Sequence, residues 1–140
     1  MVVFLDTSSL AKRYVEERGS AEVDEFFVET NIISLAPTTP IEIRSVFGRR
    51  LRDKSLPEET VHLALGEWMK EKGSFQVLMF NEGLRNDAIE VIEQTGIKTL
   101  DAIQLASARI ANASIFVTSD KALATAAGLI FAGQVKLISP

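Results

Sequence analysis

Met1-Val2-Val3-Phe4-Leu5-Asp6-Thr7-Ser8 is the stretch on which the reading of this 140-residue chain turns. Val2–Leu5 is an unbroken apolar run, short enough for a strand, and Asp6 stops it at once. Such a run suits a strand buried in a sheet that is covered on both faces. Four more short runs read the same way: Ile32–Ala36, Phe75–Met79, Ile115–Thr118 and Val135–Ile138. Between them lie segments with helical spacing. Val23, Phe26 and Phe27 form one stripe, and Ile43, Val46, Phe47 and Leu51 a second. Val61, Leu65, Trp68 and Met69 form a third, and Ile103, Ala106 and Ile110 a fourth.

Pro40 and Pro57 suit first-turn positions, while Gly19, Gly73, Gly96 and Gly128 suit helix ends. The first three connections are long enough for two helices each, the last for one. Strands alternating with helices predict an α/β fold: a three-layer α/β/α domain over residues 1–140 with a five-stranded parallel sheet.

Hydrophobic residues make up 46% and charged residues 24% of the chain, as in a globular domain with a real core. Repeats, low-complexity tracts and linkers are absent. There is no cysteine, which excludes disulfides, zinc–thiolate sites and thiol catalysis and fits a reducing cytoplasm. No apolar run is long enough to span a bilayer, and the opening run lacks a basic leader, so a cytoplasmic protein without a membrane partner is expected.

The net charge of −4 argues against a strong bulk grip on nucleic acid. Locally the balance reverses: Arg44, Arg49, Arg50, Arg52 and Lys54 stand against Asp53 alone. This cluster reads as the solvated face of a helix or as a patch steering a phosphate backbone. Arg44, close to Glu42, is its best candidate for substrate contact; Lys12 and Arg13 are weaker ones. The single histidine, His62, has no partner for a nucleophilic triad and reads as a surface residue. Trp68 and Met69 read as core or dimer interface.

In an open parallel sheet, ligands collect at the carboxyl edge of the strands. Asp6 ends the first strand, Glu42 opens the helix after the second, and Asp120 opens the helix after the fourth. Topology gathers these three carboxylates at one edge. Asp101 begins the second helix of its connection, and topology leaves its place open. Each acid also has an ordinary explanation as a helix cap. Asp6 and Asp120 precede helices, Thr39 to Glu42 matches a capping box with Thr39 as N-cap, and Thr99 could cap the helix carrying Asp101. Clustered carboxylates, however, repel by about 1–4 kcal/mol per close pair and call for a proton, a basic neighbour or a cation. An all-oxygen donor set suits Mg²⁺ or Mn²⁺, which serve phosphoryl chemistry.

Four segments carry a resemblance to a known family. They are Val3-Phe4-Leu5-Asp6-Thr7-Ser8-Ser9-Leu10, Pro40-Ile41-Glu42-Ile43-Arg44-Ser45, Thr99-Leu100-Asp101-Ala102-Ile103-Gln104-Leu105-Ala106 and Phe116-Val117-Thr118-Ser119-Asp120-Lys121. In order and spacing they resemble the PIN-domain nucleases, and among these the VapC toxins of prokaryotic toxin–antitoxin pairs. The resemblance implies a PIN-like fold and a Mg²⁺- or Mn²⁺-dependent endoribonuclease. It implies that Asp6, Asp101 and Asp120 bind metal, that Glu42 is their acidic partner and that Thr118 is a hydroxyl residue near the metal. It also implies 3′-hydroxyl and 5′-phosphate products, an RNA substrate, a VapB-type antitoxin and a homodimer.

Other classes fit less well. A housekeeping PIN nuclease would share the site but lack an antitoxin. A haloacid-dehalogenase-type hydrolase needs a second Asp where Ser8 stands, and a receiver domain usually has paired acids where Phe4-Leu5 stand. A nucleotide-binding module would need a glycine-rich or P-loop motif, and none occurs among the eight glycines.

Overall fold

The computed structural model describes residues 1–140. The chain runs β1 (Val2–Leu5), α1 (Thr7–Tyr14), α2 (Ser20–Val28), β2 (Ile32–Leu35), α3 (Thr39–Arg52), α4 (Glu58–Glu71), a 3₁₀ turn (Lys72–Ser74) and β3 (Gln76–Val77). It continues through α5 (Glu82–Thr95), α6 (Thr99–Ile110), β4 (Ile115–Thr118), α7 (Lys121–Ile130) and β5 (Gln134–Leu137). All five strands are parallel, in the order β3-β2-β1-β4-β5. The expected α/β fold and the two-two-two-one distribution of helices are both present. No helix is long and apolar enough to cross a membrane.

The opening run is the central strand. Val3 lies opposite Ile33 on one side and Ile115 on the other. Successive side chains of a strand point to opposite faces, and both faces here are buried. Val3 and Leu5 join the core under α1–α4, with Leu10, Val23, Ile43, Phe47 and Trp68. Phe4 joins the other core, under α5–α7, with Leu84, Val91, Leu105, Phe116 and Leu123. There Phe4 and Phe116 stack with ring centroids 5.6 Å apart. Three elements of one face are also tied by charge nearer the surface. Arg13 of α1 bonds Asp24 of α2 at 2.8 Å and Glu71 of α4 at 3.0 Å, with its guanidinium 4.0 Å above the Phe27 ring.

Some expected boundaries move. The third strand pairs over two residues rather than five, because it is an edge strand whose flanks are drawn elsewhere. Phe75 stacks on Trp68 at 5.9 Å before pairing begins, and beyond it Met79 and Phe80 are exposed. The last strand starts one residue early, at Gln134. Pro57 precedes α4 as its cap instead of lying in the first turn. Gly128 lies inside the last turn of α7, which continues to Ile130, and marks no helix end. Gly19 does begin α2, at φ +91°, where a Cβ would fall 2.6 Å from both Ile138 Cγ2 and the Ser139 carbonyl.

Phe116→Ala removes one half of the fully buried stack under α5–α7. It is expected to lower unfolding free energy by about 3–5 kcal/mol in urea titrations.

Candidate active site

Strand order reverses direction at β1: the first connection leads to β2 on one side, and β4 lies on the other. The crevice at such a switch opens beyond the carboxyl ends of the strands. A cleft of about 170 Å³ lies there, lined by Asp6, Thr7, Ser8, Glu42, Val46, Asp101, Gln104 and Asp120. All four acids singled out from the sequence therefore face one cavity. No three of them are close enough to form a ready metal cage. The arrangement is an open acidic ring.

Asp6 is the first residue beyond β1 and the N-cap of α1. Its Oδ1 accepts from the Ser9 backbone N–H at 2.9 Å and from the Ser8 hydroxyl at 2.8 Å. Its Oδ2 accepts from the Thr118 hydroxyl at 2.5 Å. The same Thr118 oxygen accepts the Asp120 backbone N–H at 3.0 Å, so the ends of β1 and β4 share one network. Asp120 in turn caps α7, Oδ1 accepting the Leu123 N–H at 3.1 Å. The capping explanation is correct for both aspartates, and both still line the cleft. The Asp120 cap engages one carboxylate oxygen and leaves the other available, whereas at Asp6 both oxygens already accept hydrogen bonds.

Glu42 does not form the expected capping box. The N-cap of α3 is Thr38, whose hydroxyl donates to Glu42 Oε1 at 2.6 Å. Thr39 is fully buried within the first turn, and its hydroxyl is paired instead with that of Thr7 at 3.0 Å. Thr99 likewise is no cap; Lys98 holds that position and Thr99 is the first helical residue.

Asp101, unplaced by topology, arrives through the α5–α6 pair. Gly96, at φ +72°, closes α5, and a three-residue turn leads into α6. The first turn of α6 lies at the cleft, while its far end feeds β4 at the opposite edge, where the Ser114 N–H bonds the Val2 carbonyl. Gln104, one turn after Asp101 on the same helix face, was given no role on sequence grounds. Its amide nitrogen reaches Glu42 Oε1 at 2.8 Å, Thr39 Oγ1 at 3.1 Å and Thr7 Oγ1 at 3.2 Å. The available signal was an amide standing between Ile103 and Leu105 in an otherwise apolar run.

The basic candidates fare differently. Arg44 does not line the cleft; its Nη2 lies 3.1 Å from Met69 Sδ on α4. Arg13 is committed to Asp24 and Glu71, and Lys12 is buried with its Nζ on the Arg18 carbonyl at 2.7 Å. Lys12, Arg49 and Arg50 do line a neighbouring depression of about 480 Å³, together with Ser8, Glu17, Val46, Asp53 and Ser119. Ser8 and Val46 form walls of both cavities. His62 is exposed on α4, away from the cleft.

Burial pushes the Asp6 carboxyl up to about 6, although the bonds from Thr118, Ser9 and Ser8 oppose the shift. Asp101 is also raised, first by burial and then by the charges of Asp120 and Glu42, with Lys98 opposing. Asp6 and Asp101 thus hold their protons more readily in the cleft than free carboxyls do in water.

Asp6 has a higher pKa folded than unfolded, so its stabilising contribution is complete below about 4 and is lost as pH rises through about 6. A shift of about two units corresponds to on the order of 3 kcal/mol. Asp6→Asn removes this titration. In the absence of divalent cations, the stability of the variant relative to the wild type is expected to rise between pH 4 and pH 7, as read from chemical denaturation. A difference independent of pH would contradict the assigned shift.

With this geometry in view, similarity to known proteins is informative. Comparison with curated protein sequences gives no match. Among solved structures, PAE2754 from Pyrobaculum aerophilum superposes with a TM-score of 0.72 at 18% identity, over 98% of this chain and 84% of that one. VapBC2 from Rickettsia felis, bound to a DNA fragment from its promoter, gives 0.67 at 17% identity, over 98% of both chains. VapC20 from Mycobacterium tuberculosis, described as a sarcin–ricin loop cleaving toxin, gives 0.66 at 15%, over 89% of this chain and 94% of that one. At these identities the likeness concerns the fold. The family model of the PIN domain matches residues 3–129, a span that begins in the central strand and takes in all four acids of the cleft; the chain belongs to the PIN-domain family.

Proposed function

We propose that this protein is a divalent-cation-dependent endoribonuclease and the toxin of a VapBC-type pair. The observation that carries the reading is the single cleft lined by Asp6, Glu42, Asp101 and Asp120 at the switch point of the sheet. Uncompensated, that ring would repel a phosphodiester. Its oxygen donors and open geometry fit Mg²⁺ or Mn²⁺. Mg²⁺ in particular is held by one or two carboxylates while keeping waters and taking substrate phosphate oxygens, so a closed cage is not required.

In this reading Asp6, Asp101 and Asp120 bind the cation, with Glu42 as their acidic partner. The bound ion supplies activation of a water, orientation of the phosphate and neutralisation of the leaving oxygen. Ser8, Ser9 and Thr118 keep the Asp6 oxygens fixed. Water adds to phosphorus opposite O3′, and the P–O3′ bond breaks. The expected products are a 5′-phosphate and a 3′-hydroxyl.

The choice of RNA, and of a VapB-type antitoxin as partner, rests on resemblance to VapC proteins. Membership of the PIN-domain family is consistent with it, and a fold shared with members of VapBC complexes supports the antitoxin partner. Homodimerisation and a cytoplasmic setting accompany this reading. The basic depression beside the cleft is the natural path for the flanking RNA backbone, since the two cavities share Ser8 and Val46. Of its cations Arg49 is exposed and has no carboxylate partner, whereas Arg50 is paired with Glu17 at 2.9 Å.

Asp101→Asn is expected to abolish Mg²⁺- or Mn²⁺-dependent cleavage of RNA while preserving the circular dichroism spectrum. Wild-type cleavage rates in that folded variant would remove the assignment. Growth arrest on expression, relieved by the same substitution, would separate a toxin from a housekeeping nuclease. For the backbone path, Arg49→Ala placed in the Asp101→Asn background should weaken binding of a single-stranded RNA oligonucleotide. The slope of log affinity against log salt should shrink by about 0.7, the share of one phosphate contact. Identical slopes would dismiss the path.

A further inference from the structure

Gln104 is 3% exposed, and its side chain is only half satisfied. The amide nitrogen has two hydrogens and three oxygen neighbours, of which Glu42 Oε1 is the nearest at 2.8 Å. The amide oxygen, Oε1, is shut off from solvent and has no partner at all. Rotating the amide would bring that oxygen against the Glu42 carboxylate, so the acid dictates the orientation. Threonine hydroxyls, which both donate and accept, would tolerate either one.

An orphaned buried acceptor destabilises a fold, and each one needs a reason. Stability offers none here. Without Gln104, the Thr7 and Thr39 hydroxyls still bond each other at 3.0 Å, and Glu42 Oε1 still accepts from Thr38 at 2.6 Å. An apolar side chain of the same length would leave no new group unpaired and would remove the orphan. What the amide alone provides is a link from α6, which carries Asp101, to the carboxylate on α3.

We infer that Gln104 is a positioning residue for the cation site, holding Glu42 in register with Asp101. Thr38 and Gln104 grip the same oxygen, Oε1, from two sides, which sets the orientation of the carboxylate. Oε2 then has no hydrogen-bonding or ionic partner in the protein and remains free as a ligand at the cleft. Loss of an outer group that orients a metal ligand in this way typically costs about ten- to a hundredfold in metal affinity. The inference rests on the metal-dependent reading proposed above, and it adds a residue that acts through Glu42 alone.

The test is a double-mutant cycle of Gln104→Met and Glu42→Gln, read by Mg²⁺ titration calorimetry and by melting with and without Mg²⁺. Gln104→Met, nearly equal in length, is expected to weaken Mg²⁺ binding about tenfold. Its metal-free melting temperature should equal or exceed that of the wild type. In the Glu42→Gln background the same change should cause no further loss. Unchanged Mg²⁺ affinity would overturn the inference, and so would a loss of equal size in both backgrounds. A markedly less stable metal-free protein would make Gln104 a structural support and overturn it too. If the wild type itself binds neither Mg²⁺ nor Mn²⁺, the metal-dependent reading fails first, visibly and apart from any variant.

Discussion

The charge of Asp6 has to be solvated by protein, because its carboxylate stands at the end of the central strand with 3% of its surface exposed. A buried carboxylate without hydrogen-bond donors is among the costliest groups a fold can carry. The donors come from two directions. Ser8 and Ser9 belong to the first turn of α1, and Thr118 closes β4. Meanwhile the Asp6 backbone N–H extends the β1–β4 ladder by bonding the Val117 carbonyl at 3.0 Å. One residue thereby ends a strand, starts a helix and joins two strand ends at the switch point.

That solvation is incomplete, as the upward shift of Asp6 to about 6 shows. Asp101 is raised in the same direction, partly by Asp120 and Glu42. A site that hydrogen bonds alone leave under-neutralised is well suited to a cation. Natural folds depart from local optimality mainly where function requires it. The orphaned Gln104 oxygen and the crowded acids are two such departures within one cleft.

Much of this could be read along the chain. The apolar run Val2–Leu5 stopped by Asp6 read as a buried strand, and the structure makes it the central one, with Phe4 in one core and Val3 and Leu5 in the other. Asp6 and Asp120 lie at the cleft because each stands within two residues of a strand end and caps the next helix, both local relations. Expectations failed where a side chain is claimed by a distant partner. Thr38 rather than Thr39 holds the N-cap position of α3, its hydroxyl on Glu42 instead of a helix N–H, since Thr39 is drawn inward by Thr7 and Gln104. The third strand is short because Phe75 is claimed by Trp68 and Phe27, packing that no local pattern encodes.

The amino-acid sequence by itself determined the α/β architecture, the parallel sheet and the edge on which three acids gather. Those follow from periodicities of two and 3.6 residues and from punctuation a few positions long. Topology left Asp101 open and only the resemblance pointed to it; the tertiary structure brings it to the same cleft, and that structure alone decided that Gln104, 97 positions from Thr7, bridges three elements. It also decided that Arg13 and Arg44 are engaged elsewhere while Arg49 stays free. These outcomes depend on which distant side chains share a space once the helices pack, and packing is a property of the whole chain rather than of any stretch of it.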